Sequence, residues 1–173
     1  MRPRGAARSN SAAPLGKPAV KPPASARVLA VRMLARREYS RAELTQRLAR
    51  KGIPRDDIER ALDELNAGGY LSDARFAQAL VTQKSGRFGK RAIAHALREK
   101  GIAAPDAQAA MAPLAAVDEV ADASALWQRR FGTVPANQRE KARQVRFLLS
   151  RGYGLSVALK VLRTAGSPVD DDT

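Results

Sequence analysis

An all-α fold of three tandem three-helix repeats is what this sequence predicts, and three observations carry the expectation. The first is a recurring helix stop. Leu48–Ala49–Arg50–Lys51–Gly52–Ile53 returns 49 residues later as Leu97–Arg98–Glu99–Lys100–Gly101–Ile102. A looser copy, Leu148–Leu149–Ser150–Arg151–Gly152–Tyr153, follows after 51 more. Glycine just past a helix end takes the left-handed conformation without a Cβ penalty, and the next apolar residue folds back on the helix as in a Schellman cap. Cations in the last turn offset the negative end of the helix dipole. Near-constant spacing of such stops marks a repeat. The second observation is the lack of alternating apolar–polar runs and the scarcity of β-branched residues, so no strand competes. The third is that charge follows the same period. Residues 27–51, 75–101 and 127–151 each carry a net +6, while 52–74 and 102–126 are each −4.

The elements follow in order. Residues 1–26 hold five prolines and five cations (Arg2, Arg4, Arg8, Lys17, Lys21) with no acid. Such a segment cannot bury enough apolar surface to offset its ordering entropy, so it is expected to be a disordered basic arm, either touching phosphate or inert. The first repeat is placed at 27–71. Val28, Val31, Leu34 and Ala35 share one helical face, and the helix is expected to end near Arg37 or Glu38. Ser40 and Glu43 form an S-x-x-E capping box, with Tyr39 and Leu44 as the hydrophobic staple around it. That second helix runs to Lys51 and stops at Gly52. Pro54 suits the first position of a third helix, Asp56 and Asp57 its first turn, and Ile58, Ala61, Leu62 and Leu65 its apolar face. Gly68–Gly69 ends it.

The second repeat is placed at 72–120. Ser72 is the N-cap, and Phe76, Ala79 and Leu80 are the first apolar set. Phe88–Gly89 followed by Ile93 repeats the staple geometry, with Ile93 and Leu97 matching Leu44 and Leu48. Pro105 starts the third helix, and Pro113 makes that helix short or bent. The third repeat is placed at 121–165, with Leu126, Trp127 and Phe131 on its first helix and a loop at Gly132–Pro135. Val145, Leu148 and Leu149 face inward from the second helix; Leu155, Ala158, Leu159 and Leu162 do so from the third. Its staple is missing, because Arg139 and Gln144 fall where Tyr39 and Leu44 stood. Residues 166–173 are an acidic tail with Asp170, Asp171 and Asp172. Modules this small bury little alone and need their neighbours.

Composition excludes several function classes. There is no cysteine in the 173 residues, so disulfides, thiolate metal sites and a cysteine nucleophile are absent. The single His95 cannot form a histidine cluster and is expected on the surface. No H-E-x-x-H, phosphate loop, G-x-G-x-x-G or G-x-S-x-G occurs, and no catalytic constellation, cofactor or metal is expected. No apolar run approaches the length that spans a bilayer, and no secretory signal follows the N-terminus. A cytoplasmic monomer without a membrane partner is therefore expected. The formal net charge of +14 favours a polyanionic partner, nucleic acid before an anionic surface.

If the modules stack alike, their basic helices form a stripe along an elongated molecule. A stripe suits a phosphate backbone through counterion release. It suits an acidic protein groove equally well. It also suits internal pairing, in which basic helix ends attract the acidic helices of neighbouring modules. The candidate contacts are Arg36, Arg37, Arg41, Arg47, Arg87, Lys90, Arg91, Arg98, Arg146 and Arg151. Arg87–Phe88–Gly89–Lys90–Arg91 is the densest cluster and lies at a helix start, where free backbone N–H groups can join in binding an anion. Tyr39 and Phe88 could stack bases but are placed as staples; Trp127 and Phe131 are placed in a core, and Tyr70 between modules. Helix pairs joined at Gly52 or Gly101 leave a general helix-turn-helix DNA-binding protein open as an alternative, and the charge alone leaves an RNA or ribosome partner open.

Four segments carry a family resemblance. They are Arg36–Arg37–Glu38–Tyr39–Ser40–Arg41–Ala42–Glu43–Leu44; Leu62–Asp63–Glu64–Leu65 with Gly69–Tyr70–Leu71–Ser72–Asp73–Ala74–Arg75–Phe76–Ala77; the run from Arg91 through Ile93 and Leu97 to Lys100–Gly101–Ile102; and Arg146–Phe147–Leu148–Leu149–Ser150–Arg151–Gly152–Tyr153. In order and spacing they resemble the three modules of the RecX family of recombinase regulators, over about residues 27–165. The departures are Ala74, where the family usually carries an acid, and the alanine-rich stretch 103–116 with Pro113. The resemblance implies an elongated, curved array of three repeats. It implies a protein that binds RecA and the RecA–DNA filament, lies in the filament groove, and inhibits ATPase, strand-exchange and coprotease activities, so modulating DNA repair and the SOS response. Single- or double-stranded DNA would be approached through the basic stripe.

Overall fold

The structure, a computed structural model, describes residues 25–166. The expected basic arm, but for Ser25 and Ala26, and the expected acidic tail beyond Gly166 lie outside the described residues. Within these residues the chain forms nine α-helices and no strand. Module 1 comprises α1 (Ala26–Leu34), α2 (Arg41–Ala49) and α3 (Arg55–Ala67). Module 2 comprises α4 (Asp73–Lys84), α5 (Lys90–Glu99) and α6 (Ala104–Met111), the last continued by a 3-10 turn over Ala112–Ala116. Module 3 comprises α7 (Glu119–Arg130), α8 (Gln138–Ser150) and α9 (Leu155–Gly166). Extended helix-on-helix packing stays within modules, and each module has its own buried cluster. The break of α6 into a tighter turn at Pro113 is the bend the sequence predicts.

The three helix stops are Schellman caps. Gly52, Gly101 and Gly152 have φ of +78°, +71° and +86°. In each, the residue after the glycine donates its N–H to the carbonyl five residues back: Ile53 to Leu48 at 3.3 Å, Ile102 to Leu97 at 3.1 Å and Tyr153 to Leu148 at 3.2 Å. The glycines themselves donate to Ala49, Arg98 and Leu149, each at 2.9 Å. Ser72 caps α4 through the Arg75 N–H, as expected.

Several helix faces are turned from their expected positions. α1 ends at Leu34, short of Arg37, and buries Ala26 and Ala30, leaving Val28 and Val31 each 43% exposed. Packing on α3 uses the smallest side chains of α1, which let the two backbones approach, and Leu29 and Met33 flank that seam. In α4 the inward residues are Phe76, Ala77 and Val81, while Ala79 faces out. In α8 Leu149 is exposed and Gln144 is buried; in α9 Leu155 and Leu159 are exposed and Val161 is buried beside Ala158 and Leu162. Pro54 occupies the N-cap of α3 rather than its first helical position. Tyr70 does not pack between modules: its side chain projects beside Gly68, 64% exposed.

Gln144 replaces the missing staple by a polar one. Its side-chain oxygen accepts from Trp127 Nε1 at 2.7 Å, and its amide donates to the Thr133 carbonyl at 3.2 Å. Indole N–H and loop carbonyl are both satisfied inside the module 3 core, where an unpaired group would be costly.

Candidate cationic binding surface

The neighbouring modules meet through helix ends, and the second helices α2, α5 and α8 are the parts that meet. At the junction of modules 1 and 2, Ser40, the N-cap of α2, accepts from the Glu43 N–H at 3.1 Å. Its hydroxyl then donates to the carbonyl of Lys100, the C-cap of α5, at 2.8 Å. At the junction of modules 2 and 3, the N–H of Gly89, the N-cap of α5, donates to the carbonyl of Arg151, the C-cap of α8, at 2.9 Å. The end of each later helix therefore sits on the start of the earlier one. A carboxylate from the next module completes both starts. Asp73 accepts from the Arg41 N–H at 2.7 Å, and Glu119 accepts from the Lys90 N–H at 3.2 Å. These acids are the first residues of α4 and α7, and Ala26 holds that place in module 1.

The sequence reading gives neither Asp73 nor Glu119 a role, and Glu119 falls before the expected start of the third repeat at 121. The signal that identifies them is their shared position at the first helical residue of the second and third modules. The capping box is likewise altered. Ser40 does its part, but the Glu43 carboxylate does not turn back to the start of α2. It pairs with Lys100 Nζ at 2.7 Å and with Arg37 at 3.4 Å. Burial pushes the Glu43 carboxyl up, but the hydrogen bond and charge of Lys100, with those of Arg37, outweigh burial and hold it below its ordinary value of 4.5.

The ten cations expected on the stripe all lie on the second helices or their immediate flanks. Arg41 and Arg47 are on α2, Lys90, Arg91 and Arg98 on α5, and Arg146 on α8; Arg151 caps α8, and Arg36, Arg37 and Arg87 lie in the turns before α2 and α5. Tyr39 and Phe88 are staples that also carry cations. Arg37 and Arg47 lie over the Tyr39 ring at 3.7 and 5.2 Å, and Lys84 and Arg151 lie over Phe88 at 4.5 and 5.3 Å. Arg41 pairs with Asp63 at 2.7 Å. Arg36, Arg87, Arg91, Arg98 and Arg146 are exposed and form no ion pair among the described residues. Internal pairing thus takes up part of the stripe and leaves the rest facing solvent. His95 is on the surface beside Glu99, as expected.

A groove of about 700 Å³ crosses the first junction. Arg41, Arg47, Arg50 and Lys100 line it with the acids Glu43, Asp73 and Glu99. Arg50 and Lys100 are the cations sequence inspection missed there; both belong to the helix-stop motifs, one or two residues before the capping glycine. At the first junction a Cβ on Gly101 would lie 2.7 Å from the Ala42 Cβ, and at the second the clash is with backbone. A Cβ on Gly89 would lie 2.5 Å from the Gly152 carbonyl oxygen, and a Cβ on Gly152 would collide with Ala92. Tyr153 follows, 1% exposed, with no hydrogen-bond partner for its hydroxyl. Burial, and then the negative charges of Asp122 and Glu119, push its pKa up to about 12 against the opposing effect of Arg129.

Interlocked three-helix modules with a cationic face along their second helices define a modular all-α protein. Residues 26–65, 72–111 and 118–162 match, in that order, the first, second and third three-helix domains of RecX. The chain belongs to the RecX family. A Regulatory protein RecX from Chromobacterium violaceum is 40% identical over 147 residues, covering 85% of this chain and 93% of the relative. One from Leptothrix cholodnii is 42% identical, covering 88% and 96%. The crystal structure of RecX from Lactobacillus salivarius has a similar fold, with a TM-score of 0.64 at 18% identity over 81% of this chain and 94% of that one. Another RecX crystal structure superposes with a TM-score of 0.69 at 20% identity, over 79% and 70% of the two chains. No helix among the described residues is long and apolar enough to cross a membrane.

Proposed function

We propose that this protein is a non-enzymatic regulator of RecA. It binds RecA and the RecA–DNA filament and lowers ATPase, strand-exchange and coprotease activity. It acts as a cytoplasmic monomer within DNA repair and the SOS response. Membership of a family of regulatory proteins supports the class. The single observation that carries the mechanism is the run of second helices joined end to start, with solvent-facing Arg87, Arg91, Arg98 and Arg146 along it. Cations fixed on one interlocked scaffold can neutralise several phosphates together, and each released counterion adds to affinity. Protein contacts to neighbouring RecA subunits along the same array would hinder the subunit movements that turnover requires. A helix-turn-helix role is less well supported, because the turn after α5 is covered by Ala42 of module 1.

The test is RecA's single-strand-DNA-dependent ATP hydrolysis with this protein titrated in, beside a control with excess DNA. Inhibition well below one molecule per RecA, unrelieved by added DNA, is the expected outcome. Relief by added DNA would reduce the stripe to a DNA-binding surface. Replacing Arg87, Lys90 and Arg91 together with Glu is expected to weaken filament binding and flatten its salt dependence while the circular dichroism spectrum is kept.

A further inference from the structure

The two junctions are built from different materials. The first has the Ser40 hydroxyl on the Lys100 carbonyl, Asp73 on the Arg41 N–H and Gly101 packed on Ala42, and adds two ion pairs: Lys100 with Glu43 at 2.7 Å, and Arg75 with Glu38 at 3.0 Å, both crossing from module 2 to module 1. Their cations are 40% and 48% exposed and open to solvent, while the partner carboxylates Glu43 and Glu38 are 12% and 35% exposed. Backbone holds the second: the Gly89 N–H on the Arg151 carbonyl, with Gly89 and Gly152 packed against one another and Ala92 so closely that neither has room for a methyl group. The second junction also has the Lys90 N–H to Glu119 contact, Arg129 donating to the Gly86 carbonyl at 3.5 Å and Arg151 over Phe88, but no ion pair crosses it among the described residues. Exposed ion pairs are screened by salt and exchange partners easily, whereas close backbone packing does neither.

Resting on the nucleic-acid part of the function proposed above, we propose that the groove across the first junction is a phosphodiester site whose cations are held in reserve by the protein's own carboxylates. A strand entering the groove meets Arg47 and Arg50, and its phosphates then replace Glu43 on Lys100. That exchange removes a tie between modules 1 and 2, so nucleic acid loosens the first junction and leaves the second fixed. Module 1 becomes a movable jaw on a rigid two-module body. Hinges of this kind change domain orientation by altering a few contacts while each domain's core stays intact.

The chain has no cysteine, so engineered pairs can be spin-labelled cleanly. Asn66→Cys with Gln108→Cys reports modules 1 and 2; Gln108→Cys with Thr164→Cys reports modules 2 and 3. Pulsed electron paramagnetic resonance on the full chain then gives both distance distributions, with and without added KCl and with a short single-stranded oligonucleotide. The expected result is a broadened or shifted first distance under either addition and an unchanged second one. Glu43→Gln is expected to loosen the first junction without any addition. It should also tighten oligonucleotide binding about three- to tenfold, because the competing carboxylate is gone. Oligonucleotide binding with both distances unchanged, or with both changed, would overturn the hinge but leave DNA binding standing. Weaker or equal binding by Glu43→Gln would overturn the exchange. Absence of any oligonucleotide binding by the unsubstituted chain would overturn this site and the DNA contact of the proposed function together, while RecA inhibition would remain a separate measurement.

Discussion

Gly89→Ala is the sharpest perturbation of the interlock. Gly89 has φ of −71°, so alanine adopts its backbone without strain and any effect is steric. The new methyl would stand 2.5 Å from the Gly152 carbonyl oxygen, 2.6 Å from the carbonyl carbon and 2.8 Å from the Tyr153 nitrogen. All three are backbone atoms, so no side chain can swing aside. Ordinary contact begins at 3.4 Å, and the two segments must therefore part by about 0.9 Å. Parting by that much takes the Gly89 N–H to Arg151 carbonyl bond from 2.9 Å to beyond useful length. Overpacking costs about 1–3 kcal/mol, and the lost hydrogen bond adds about 1 kcal/mol. A loss of about 2–4 kcal/mol is expected. Trp127, the only tryptophan, lies in module 3 and reports the affected side of the junction by fluorescence during urea unfolding. Gly154→Ala is the control, since a methyl there meets nothing closer than 3.8 Å. A Trp127 transition in Gly89→Ala that coincides with that of Gly154→Ala would refute the claim that backbone contact couples modules 2 and 3.

Three further outcomes are expected. Gln144→Leu restores an apolar staple residue but strands the Trp127 indole N–H and the Thr133 carbonyl, so urea unfolding should show a loss of about 1–3 kcal/mol rather than a gain. Tyr153→Phe removes a buried hydroxyl without a partner and should leave stability unchanged or raise it by about 1 kcal/mol; it should also abolish the loss of stability expected as pH rises from about 10 toward the folded-state value of about 12. Glu43 is depressed in the fold, so its contribution is fully present above pH 4.5 and is lost as pH falls through its lower folded-state value; Glu43→Gln should flatten acid unfolding in that window, and a parallel acid profile would count against the Lys100 pairing.

What could be read from the sequence was local. The three glycine stops, the Ser72 cap and the break at Pro113 each depend on a few adjacent residues with a distinct backbone demand, and each stands where expected. The helix faces were less legible, because apolar periodicity does not say how close two helices approach. α1 could bury valines at a larger spacing or alanines at a smaller one, and its contact with α3 selects Ala26 and Ala30. Long-range polar roles were the least legible. Ser40 and Glu43 make a local capping signature, yet Ser40 reaches Lys100, 60 positions away, and Glu43 pairs with the same residue. Only the partner's arrival in space decides which hydrogen bond such a side chain makes. The stripe residues were placed by charge periodicity, which put them on the second helices and their flanks but could not tell Arg41, paired with Asp63, from Arg98, which forms no ion pair among the described residues.

The direction of the interlock bears on how the chain is made. Each helix start is finished by residues that lie downstream, Asp73 and Lys100 for α2 and Glu119 and Arg151 for α5. During synthesis module 1 therefore leaves the ribosome with an open seam, and module 2 closes it only when its own second helix has been made; module 2 then waits in turn for module 3. The start of α8 is closed within its own module. Asn137 accepts from the Glu140 N–H at 2.9 Å, and Glu140 accepts from the Ala136 N–H at 2.9 Å, so α8 seals itself. Translation halted between modules would release a chain whose final finished module still lacks its closing piece, and a premature stop codon after module 2 would do more harm than the deletion of one repeat suggests.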